Sequence, residues 1–202
     1  MARTTRIVAV SGSLRRLSIN SALLHEIAAL APSGVAVDIL SPGGLPLFNP
    51  DREADLPRAV AVFRKRLAAA DALIIASPEY AHGVSGVIKN ALDWLVASED
   101  FAGKPVAVLN AAPRAHHADV ALREILSTMS ARVVEDASIT VRLPKVEQPM
   151  ATSLDPAIKA NLANALAALV MAANRKMAGV PNDEPRQGAR GCDLWRDRAQ
   201  SL

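Results

Sequence analysis

Short apolar runs alternate along the chain with longer segments whose apolar residues recur at helical spacing. Runs of this length are typical of buried strands, and we predict five strands, at residues 7–10, 35–40, 72–76, 105–109 and 132–141. Helices are predicted between and after them, the first capped by Ser18 or Asn20, the others at residues 59–70, 84–96, 118–129 and 157–177. Because the strands are apolar rather than half polar, we expect helices on both faces of the sheet.

This alternation predicts an α/β domain with a doubly wound, five-stranded parallel sheet in the order 2-1-3-4-5. Residues 1–178 form the domain, and residues 179–202 are a polar tail without a core pattern. Ligands of such sheets bind at the carboxyl ends of the strands, at the switch point between strands one and three. The loops after strands one, three and four are therefore the candidate site, and the long segment 41–57 is a further candidate for function.

The composition is that of an ordinary globular protein and disfavours one class of partner. Half of the 202 residues are hydrophobic and only 3% are aromatic, which is too few rings for a protein that stacks nucleic-acid bases. The net charge of +3 is a mild surplus that suits anionic small molecules, and no helix collects the basic residues. We therefore expect no nucleic-acid partner.

Cys192 is the only cysteine, which excludes an intrachain disulfide and an all-cysteine metal site. A lone thiol without a surrounding motif is best explained as a spectator, and it fits a reducing cytoplasm. The chain begins with a short polar segment unlike a secretory signal. No apolar run reaches the roughly 18 residues of a membrane helix. We predict a cytoplasmic protein without a membrane partner.

The first loop, residues 11–21, carries the chemistry of an anion site. It supplies serine hydroxyls, backbone amides at a helix start, and the guanidinium groups of Arg15 and Arg16. Such amides, the helix dipole and nearby positive charge all stabilise a phosphate. The loop is neither the Gly-x-Gly-x-x-Gly of dinucleotide-binding folds nor a Walker loop with its lysine. The alternative is an ordinary capped helix with solvated arginines.

The loop after the third strand suits a flat heteroaromatic ring. Pro78 stiffens the backbone edge and Tyr80 offers a side chain that can pack against the ring. The amides near His82 and Gly83 precede a helix, where negative charge on such a ring is stabilised. The sequence therefore predicts a ring-binding loop here.

Together the two loops resemble the NADPH-dependent FMN reductase family of flavodoxin-like proteins, which includes quinone and chromate reductases. The matching residues are Gly12-Ser13-Leu14-Arg15, Ser18 and Asn20, then Ser77-Pro78-Glu79-Tyr80, Gly83 and Gly86, then Lys89-Asn90-Ala91 and Asp93-Trp94. The likeness in element order covers about residues 6–170. Two loops that match in the right topological places make the resemblance specific.

This resemblance implies which residues hold FMN. The first loop would bind the phosphate, the third would line the isoalloxazine, and the fourth would touch the ribityl chain or a nicotinamide phosphate. The implied cofactor-binding residues are Ser11, Ser13, Arg15, Ser18, Asn20, Ser21, Pro78, Glu79, Tyr80, Ala81, His82, Gly83, Ala112 and Arg114. The candidate catalytic residues are Glu79 and His82. The following helix carries Lys89, Asn90, Asp93 and Trp94, which are expected to be structural or to lie in a subunit contact.

Three positions depart from the family pattern. Ala81 stands where the family has Asn, and Ser85 stands where it has Pro. The fourth loop, residues 110–117, carries Arg114 and two adjacent histidines in place of a Gly-rich run. Because these histidines lack a carboxylate at ligand spacing, we expect them to be solvated and we predict no metal.

The activity implied by the resemblance is that of an NAD(P)H-dependent oxidoreductase in which FMN carries the redox chemistry. NAD(P)H would deliver a hydride to flavin N5 and leave, and a flavin, quinone or similar acceptor would take its place in a ping-pong mechanism. A homodimer or homotetramer is also implied. Two rival hypotheses remain open: an electron-carrying flavodoxin, although such carriers look acidic and this chain is basic, and a flavin-free interaction or regulatory protein on the same fold.

Overall fold

A computed structural model describes residues 3–112, 116–143 and 154–177. Its strands are β1 (Thr5–Ser11), β2 (Val35–Leu40), β3 (Ala72–Ala76), β4 (Glu79–Tyr80), β5 (Gly83–Val84), β6 (Pro105–Leu109) and β7 (Arg132–Val133). Its helices are α1 (Ile19–Ala29), α2 (Arg58–Ala68), α3 (Gly86–Asp93), α4 (His116–Thr128) and α5 (Pro156–Met177). The predicted tail, residues 179–202, lies outside the described residues.

Five of these strands form one parallel sheet in the order β2-β1-β3-β6-β7. Setting aside the hairpin strands β4 and β5, this is the predicted order 2-1-3-4-5, and the flavodoxin-like fold is confirmed. β1 pairs on both sides, for example Val10 with Leu40 and Ser11 with Ala76. The winding reverses between β1 and β3, so the loops after these two strands open next to each other at the carboxyl edge.

The strands send alternate side chains into two hydrophobic cores. In β3, Ile74 packs in the core that contains α1 and α5, and Ile75 packs in the core that contains α2, α3 and α4. All residues of β3 and β6 are buried, which explains why these runs contain no polar residue. Helices therefore cover both faces of the sheet, as predicted.

The fifth predicted strand, residues 132–141, is mostly not a strand. After β7 the chain enters a 3-10 turn at Glu135–Ala137 and rejoins the sheet through an isolated bridge at Thr140. At this point the Val108 amide donates to Ser138 Oγ at 3.0 Å, so a side chain replaces a backbone partner. The alternation of apolar residues over 132–141 predicts a strand. This alternation does not show whether the amides of β6 bond to backbone carbonyls or to side chains of the segment.

Two further boundaries differ from the prediction. The loop after β3 contains an antiparallel hairpin of β4 and β5. α3 begins after the predicted residue 84 because Val84 belongs to this hairpin and Ser85 caps the helix, and it ends at Asp93 rather than at residue 96. Of the two candidate caps of α1, the structure selects Ser18 over Asn20, since Ser18 Oγ accepts from the Ser21 amide at 3.2 Å. These shifts move no element out of the predicted topology.

α5 is, among the described residues, the one helix long and apolar enough to cross a membrane by length and composition alone. Its buried residues, which include Leu162, Leu166 and Leu169, pack in the same core as α1. An amphipathic core helix passes the same compositional test, and this packing accounts for the buried apolar residues of α5.

Lys104 is buried just before β6, where its ammonium group donates to the Ala70 carbonyl at 2.6 Å. Burial, and secondarily the charge of Lys176, lowers the pKa of Lys104 below its ordinary value of 10.5. The folded protein therefore binds this proton less tightly than the unfolded chain does. The contribution of Lys104 to the free energy of unfolding is therefore smallest at pH values below its pKa in the folded protein. It rises with pH until the pH exceeds the pKa of the lysine in the unfolded chain.

We expect the free energy of unfolding of the wild type to rise relative to that of Lys104→Met as the pH rises toward 10.5, the ordinary pKa of lysine. Each unit by which the pKa is lowered should contribute about 1.4 kcal/mol. Urea unfolding of both proteins at several pH values up to 10.5 measures the difference between their free energies of unfolding. The contributions of the other titrating groups cancel in this difference. A difference that stays constant would show that the fold does not disfavour the protonated amine.

Candidate functional site

Gly12 lies where the loops after β1 and β3 touch. Its amide donates to the Ala76 carbonyl at 2.8 Å, which carries the β1–β3 pairing into the loops. A Cβ added to Gly12 would lie 2.7 Å from Ile88 Cγ1 and 2.8 Å from the Oγ atoms of Ser77 and Ser85. The first loop can therefore pass over the start of α3 because position 12 has no side chain.

The serine hydroxyls organise the first loop. Those of Ser11 and Ser21 share a hydrogen bond of 2.9 Å, and Ser11 Oγ also accepts from the Ser13 amide at 3.3 Å. The Ser13 hydroxyl accepts from the Arg15 amide at 3.4 Å, and the buried Ser18 caps α1. The loop is thus folded at the amino-terminal end of α1, where the helix dipole favours negative charge.

The same loop reaches solvent and the long loop after β2. Arg15 and Arg16 are exposed, whereas Asn20 is buried in the first turn of α1. Leu14 packs so closely on Gly43 that a Cβ added there would lie 2.5 Å from Leu14 Cδ2. The predicted phosphate loop is therefore in contact with the segment 41–57.

The hairpin of β4 and β5 closes through a two-residue turn. Tyr80 pairs with Gly83, and the turn residues Ala81 and His82 have φ angles of 49° and 58°. Two successive positive φ values are typical of a type I′ turn, which favours Asn and Gly because most other residues are strained there. This geometry gives a physical reason for the Asn of the family pattern, which Ala81 replaces.

Ala81→Asn is expected to stabilise the protein by about 0.5–1 kcal/mol, because Asn adopts the left-handed conformation more readily than Ala. Ala81→Val should destabilise it by at least as much, since β-branched residues tolerate positive φ worst. Thermal unfolding of the three proteins tests the order Asn, Ala, Val. An Asn variant that melts at or below the wild-type temperature would contradict the argument.

Glu79 connects the hairpin to α4. Its Oε2 accepts a hydrogen bond of 2.8 Å from the Ala118 amide, in the first turn of the helix. That hydrogen bond, with the attraction of His117 and His82, lowers the pKa of Glu79 below its ordinary value of 4.5. Glu79 is therefore a carboxylate held at a helix amino terminus, a poor state for a group that must exchange a proton near neutral pH.

Three histidine rings lie next to one another beside this contact, one pair stacked and the other tilted. The rings of His82 and His117 lie 4.2 Å apart at 22°, and the rings of His117 and His116 lie 3.9 Å apart at 37°. His116 and His117 are exposed, as expected, but they are joined to the hairpin through His82. Within the part of the chain that the structure describes, no group of three or more His, Cys, Asp or Glu residues could hold a metal ion.

The fourth loop begins with a local turn in which Asn110 Oδ1 accepts from the Ala112 amide at 2.9 Å. Ala112, a predicted cofactor contact, is half-buried. A small pocket lined by residues that include Ser77, Asn110 and Leu122 joins the loops after β3 and β6. The predicted ligand Arg114 lies outside the described residues.

Asn90 and Trp94 of α3 hold the long loop after β2. Asn90 accepts from the Phe48 amide at 2.8 Å and donates to the Pro46 carbonyl at 3.0 Å. The Trp94 indole donates to the same carbonyl at 2.8 Å, and its buried ring meets Phe48 edge-on at 5.0 Å. Leu47, between the two held residues, is 86% exposed. Asn90 and Trp94 thus have the structural role expected of them.

The structure places the predicted site residues on the first loop and the hairpin at one edge of the sheet. Ser85, which is not among the predicted site residues, lies where the first loop and the loop after β3 meet at Gly12. It is buried and caps α3 by accepting from the Ile88 amide at 3.4 Å. The sequence contained a signal for this role, because serine is a preferred helix cap and here replaces the proline of the family pattern.

The donors at this edge fit the two ends of FMN. Hydroxyls and helix-start amides on the first loop suit a phosphate. The hairpin presents a backbone edge and the exposed Tyr80 to a flat ring. Because Gly12 joins the two loops, a single molecule with a phosphate tail and a planar head can reach both.

The fold and these loops define a flavodoxin-like α/β protein whose switch point suits a phosphate-bearing planar ligand. The family model for NADPH-dependent FMN reductase matches residues 5–143, from β1 to the segment after β7. The chain belongs to this family.

Similar proteins have reductase names. The chain is 43% identical over 114 residues to an NAD(P)H-dependent FMN reductase of Pseudomonas aeruginosa, over 55% of this chain and 62% of that protein. It is 43% identical over 107 residues to a 2-hydroxy-1,4-benzoquinone reductase of Burkholderia sp, and this match covers 52% of this chain and 58% of that protein. The chain thus spans less than two thirds of the length of these relatives.

A solved structure shows the same fold. FerB, a flavoenzyme NAD(P)H:(acceptor) oxidoreductase from Paracoccus denitrificans, matches with a TM-score of 0.68 at 24% identity. The match covers 85% of this chain and 98% of that one. The flavodoxin-like architecture is therefore shared over most of both chains.

Proposed function

We propose that the protein binds FMN and uses NAD(P)H to reduce a small acceptor such as a flavin or a quinone. The observation that carries the proposal is the junction at Gly12, which joins a phosphate-type loop to a hairpin suited to a flat ring. Family membership and the names of the relatives support it. Bound FMN would supply the two-electron redox chemistry between NAD(P)H and the acceptor.

The chain's own residues bind and orient in this proposal. The phosphate is assigned to Ser11, Ser13, Arg15, Ser18, Asn20 and Ser21. The ring is assigned to Pro78, Tyr80, Ala81, His82 and Gly83, with Ala112 and Arg114 toward the ribityl chain. Stacking of the nicotinamide on the ring needs no nucleophile from the protein, and water can supply the protons that the acceptor takes up.

We further infer a homodimer or homotetramer that works in the cytoplasm. Leu47 is 86% exposed although the residues on both sides of it are held by α3. A rigidly presented apolar side chain suits a subunit contact. The single cysteine of the chain is compatible with a reducing compartment.

The visible spectrum of the purified protein tests this function. FMN is added first, and NADPH is then added without oxygen. A bound-flavin spectrum that bleaches rapidly and returns on addition of a quinone is expected. A free-FMN spectrum would overturn the proposal in favour of a flavin-free interaction protein, and bound FMN that neither NADPH nor NADH bleaches would favour an electron carrier.

A further inference from the structure

The hairpin that carries the predicted ring-binding residues cannot hold its shape by itself. It consists of two strands of two residues each, and isolated two-stranded hairpins are marginal in water. Its turn places Ala81 and His82 at positive φ without the Asn or Gly that such a turn favours. Contacts with the rest of the protein must therefore hold it in place.

Val84 of the hairpin packs against the hydrophobic core, and two further side-chain contacts of the hairpin lie at the first turn of α4. The Glu79 carboxylate accepts from the Ala118 amide at 2.8 Å, and the His82 ring stacks on the His117 ring at 4.2 Å. One contact comes from the first strand of the hairpin and the other from its turn. Two attachment points on opposite sides of Tyr80 fix the orientation of the hairpin as well as its position.

We propose that Glu79 is a positioning residue, which holds the hairpin on α4 so that the hairpin edge is ordered before the flavin ring arrives. This inference rests on the proposed function and assigns Glu79 a role different from the proton transfer considered from the sequence. The carboxylate is engaged with a backbone amide of another element, 39 residues away in the chain. Its effect on the ring is therefore exerted through the hairpin backbone, by preorganisation.

The chain contains a built-in reporter of this arrangement. Tyr80 is its only tyrosine, lies in the hairpin next to Glu79, and is 55% exposed. Incorporation of 3-fluorotyrosine therefore gives one ¹⁹F resonance that reports on the hairpin in the protein without flavin. This readout is independent of FMN binding and of activity.

The experiment compares Glu79→Ala and Glu79→Gln with the control Glu124→Ala, which removes an exposed carboxylate from α4 itself. In Glu79→Ala the ¹⁹F resonance should move toward the unfolded position, and FMN should bind about tenfold more weakly. Glu79→Gln keeps an acceptor oxygen, so it should retain the wild-type resonance and bind within about threefold of the wild type. The control should match the wild type in both measurements.

Two results would overturn the proposal. An Ala variant with unchanged resonance and unchanged affinity would show that the contact is dispensable. Weaker FMN binding with an unchanged resonance would make Glu79 a direct flavin ligand. A Gln variant whose resonance shifts as far as that of the Ala variant would support the positioning role and assign it to the charge of the carboxylate at the helix end. If wild type itself fails to bind FMN, the proposed function fails, while the ¹⁹F comparison still tests the positioning role.

His117→Ala supplies a second variant, which leaves Glu79 intact. It removes the stacking partner of His82, so it should shift the resonance in the same direction as Glu79→Ala but by less, because the hydrogen bond remains. A resonance unaffected by this change and by Glu79→Ala would show that α4 does not order the hairpin.

Discussion

Gly12→Ala is expected to weaken FMN binding by about tenfold or more and to lower the free energy of unfolding by about 1–3 kcal/mol. The added Cβ would lie 2.7 Å from the side chain of Ile88, which is 1% exposed, and 2.8 Å from two serine hydroxyls. Ile88 has no solvent-filled space to move into, so the backbone of the first loop must shift. That shift separates the phosphate loop from the hairpin.

Urea unfolding and titration of free FMN fluorescence measure the two effects. Gly86→Ala is the matched control, because a Cβ added to this nearby glycine meets no atom within 4 Å. It should change stability by less than about 0.5 kcal/mol. If Gly12→Ala behaves like this control, the loops after β1 and β3 are not packed against each other as described.

Asn90→Ala is expected to lower the free energy of unfolding by about 2–3 kcal/mol, since it removes partners from both the Phe48 amide and the Pro46 carbonyl. Trp94→Phe should have a smaller effect, about 1 kcal/mol, because the ring contact with Phe48 remains and one hydrogen bond is lost. Both side chains donate to the same Pro46 carbonyl. The double variant should therefore depart from additivity.

Urea unfolding of the wild type, the two single variants and the double variant measures this coupling. Lys89→Ala is the control, because Lys89 forms a partly exposed ion pair with Asp93 on the same helix. Its loss should change stability by less than about 0.5 kcal/mol. Equal effects of Asn90→Ala and Lys89→Ala would show that the loop after β2 is not held by α3.

Most of the fold follows from local sequence patterns. The runs that became β3 and β6 are wholly apolar and wholly buried, and the rule for doubly wound sheets then supplies the strand order. The first loop was located in the same way, since it follows directly from the end of β1. These predictions succeeded because each rests on neighbouring residues: the spacing of apolar residues, the burial of a continuous apolar run, and the order in which strands and helices follow one another along the chain.

The missed features depend on contacts between distant segments. The two-residue strands of the hairpin are too short to show a period, and its turn lacks the Asn-Gly signal of a type I′ turn. The bond between Glu79 and the Ala118 amide joins residues 39 positions apart, and no local pattern encodes it. The fifth strand failed for a related reason, since Ser138 supplies from its side chain the partner that a strand would supply from its backbone.

The short fifth strand has a consequence for how the protein behaves at high concentration. The edge of a sheet is a template on which a strand from another molecule can add. Here β7 contributes only two residues to that edge, and the chain then turns away at Glu135–Ala137. An incoming strand would find too short a ladder to grow on. Fibrous growth from this edge should therefore be slow.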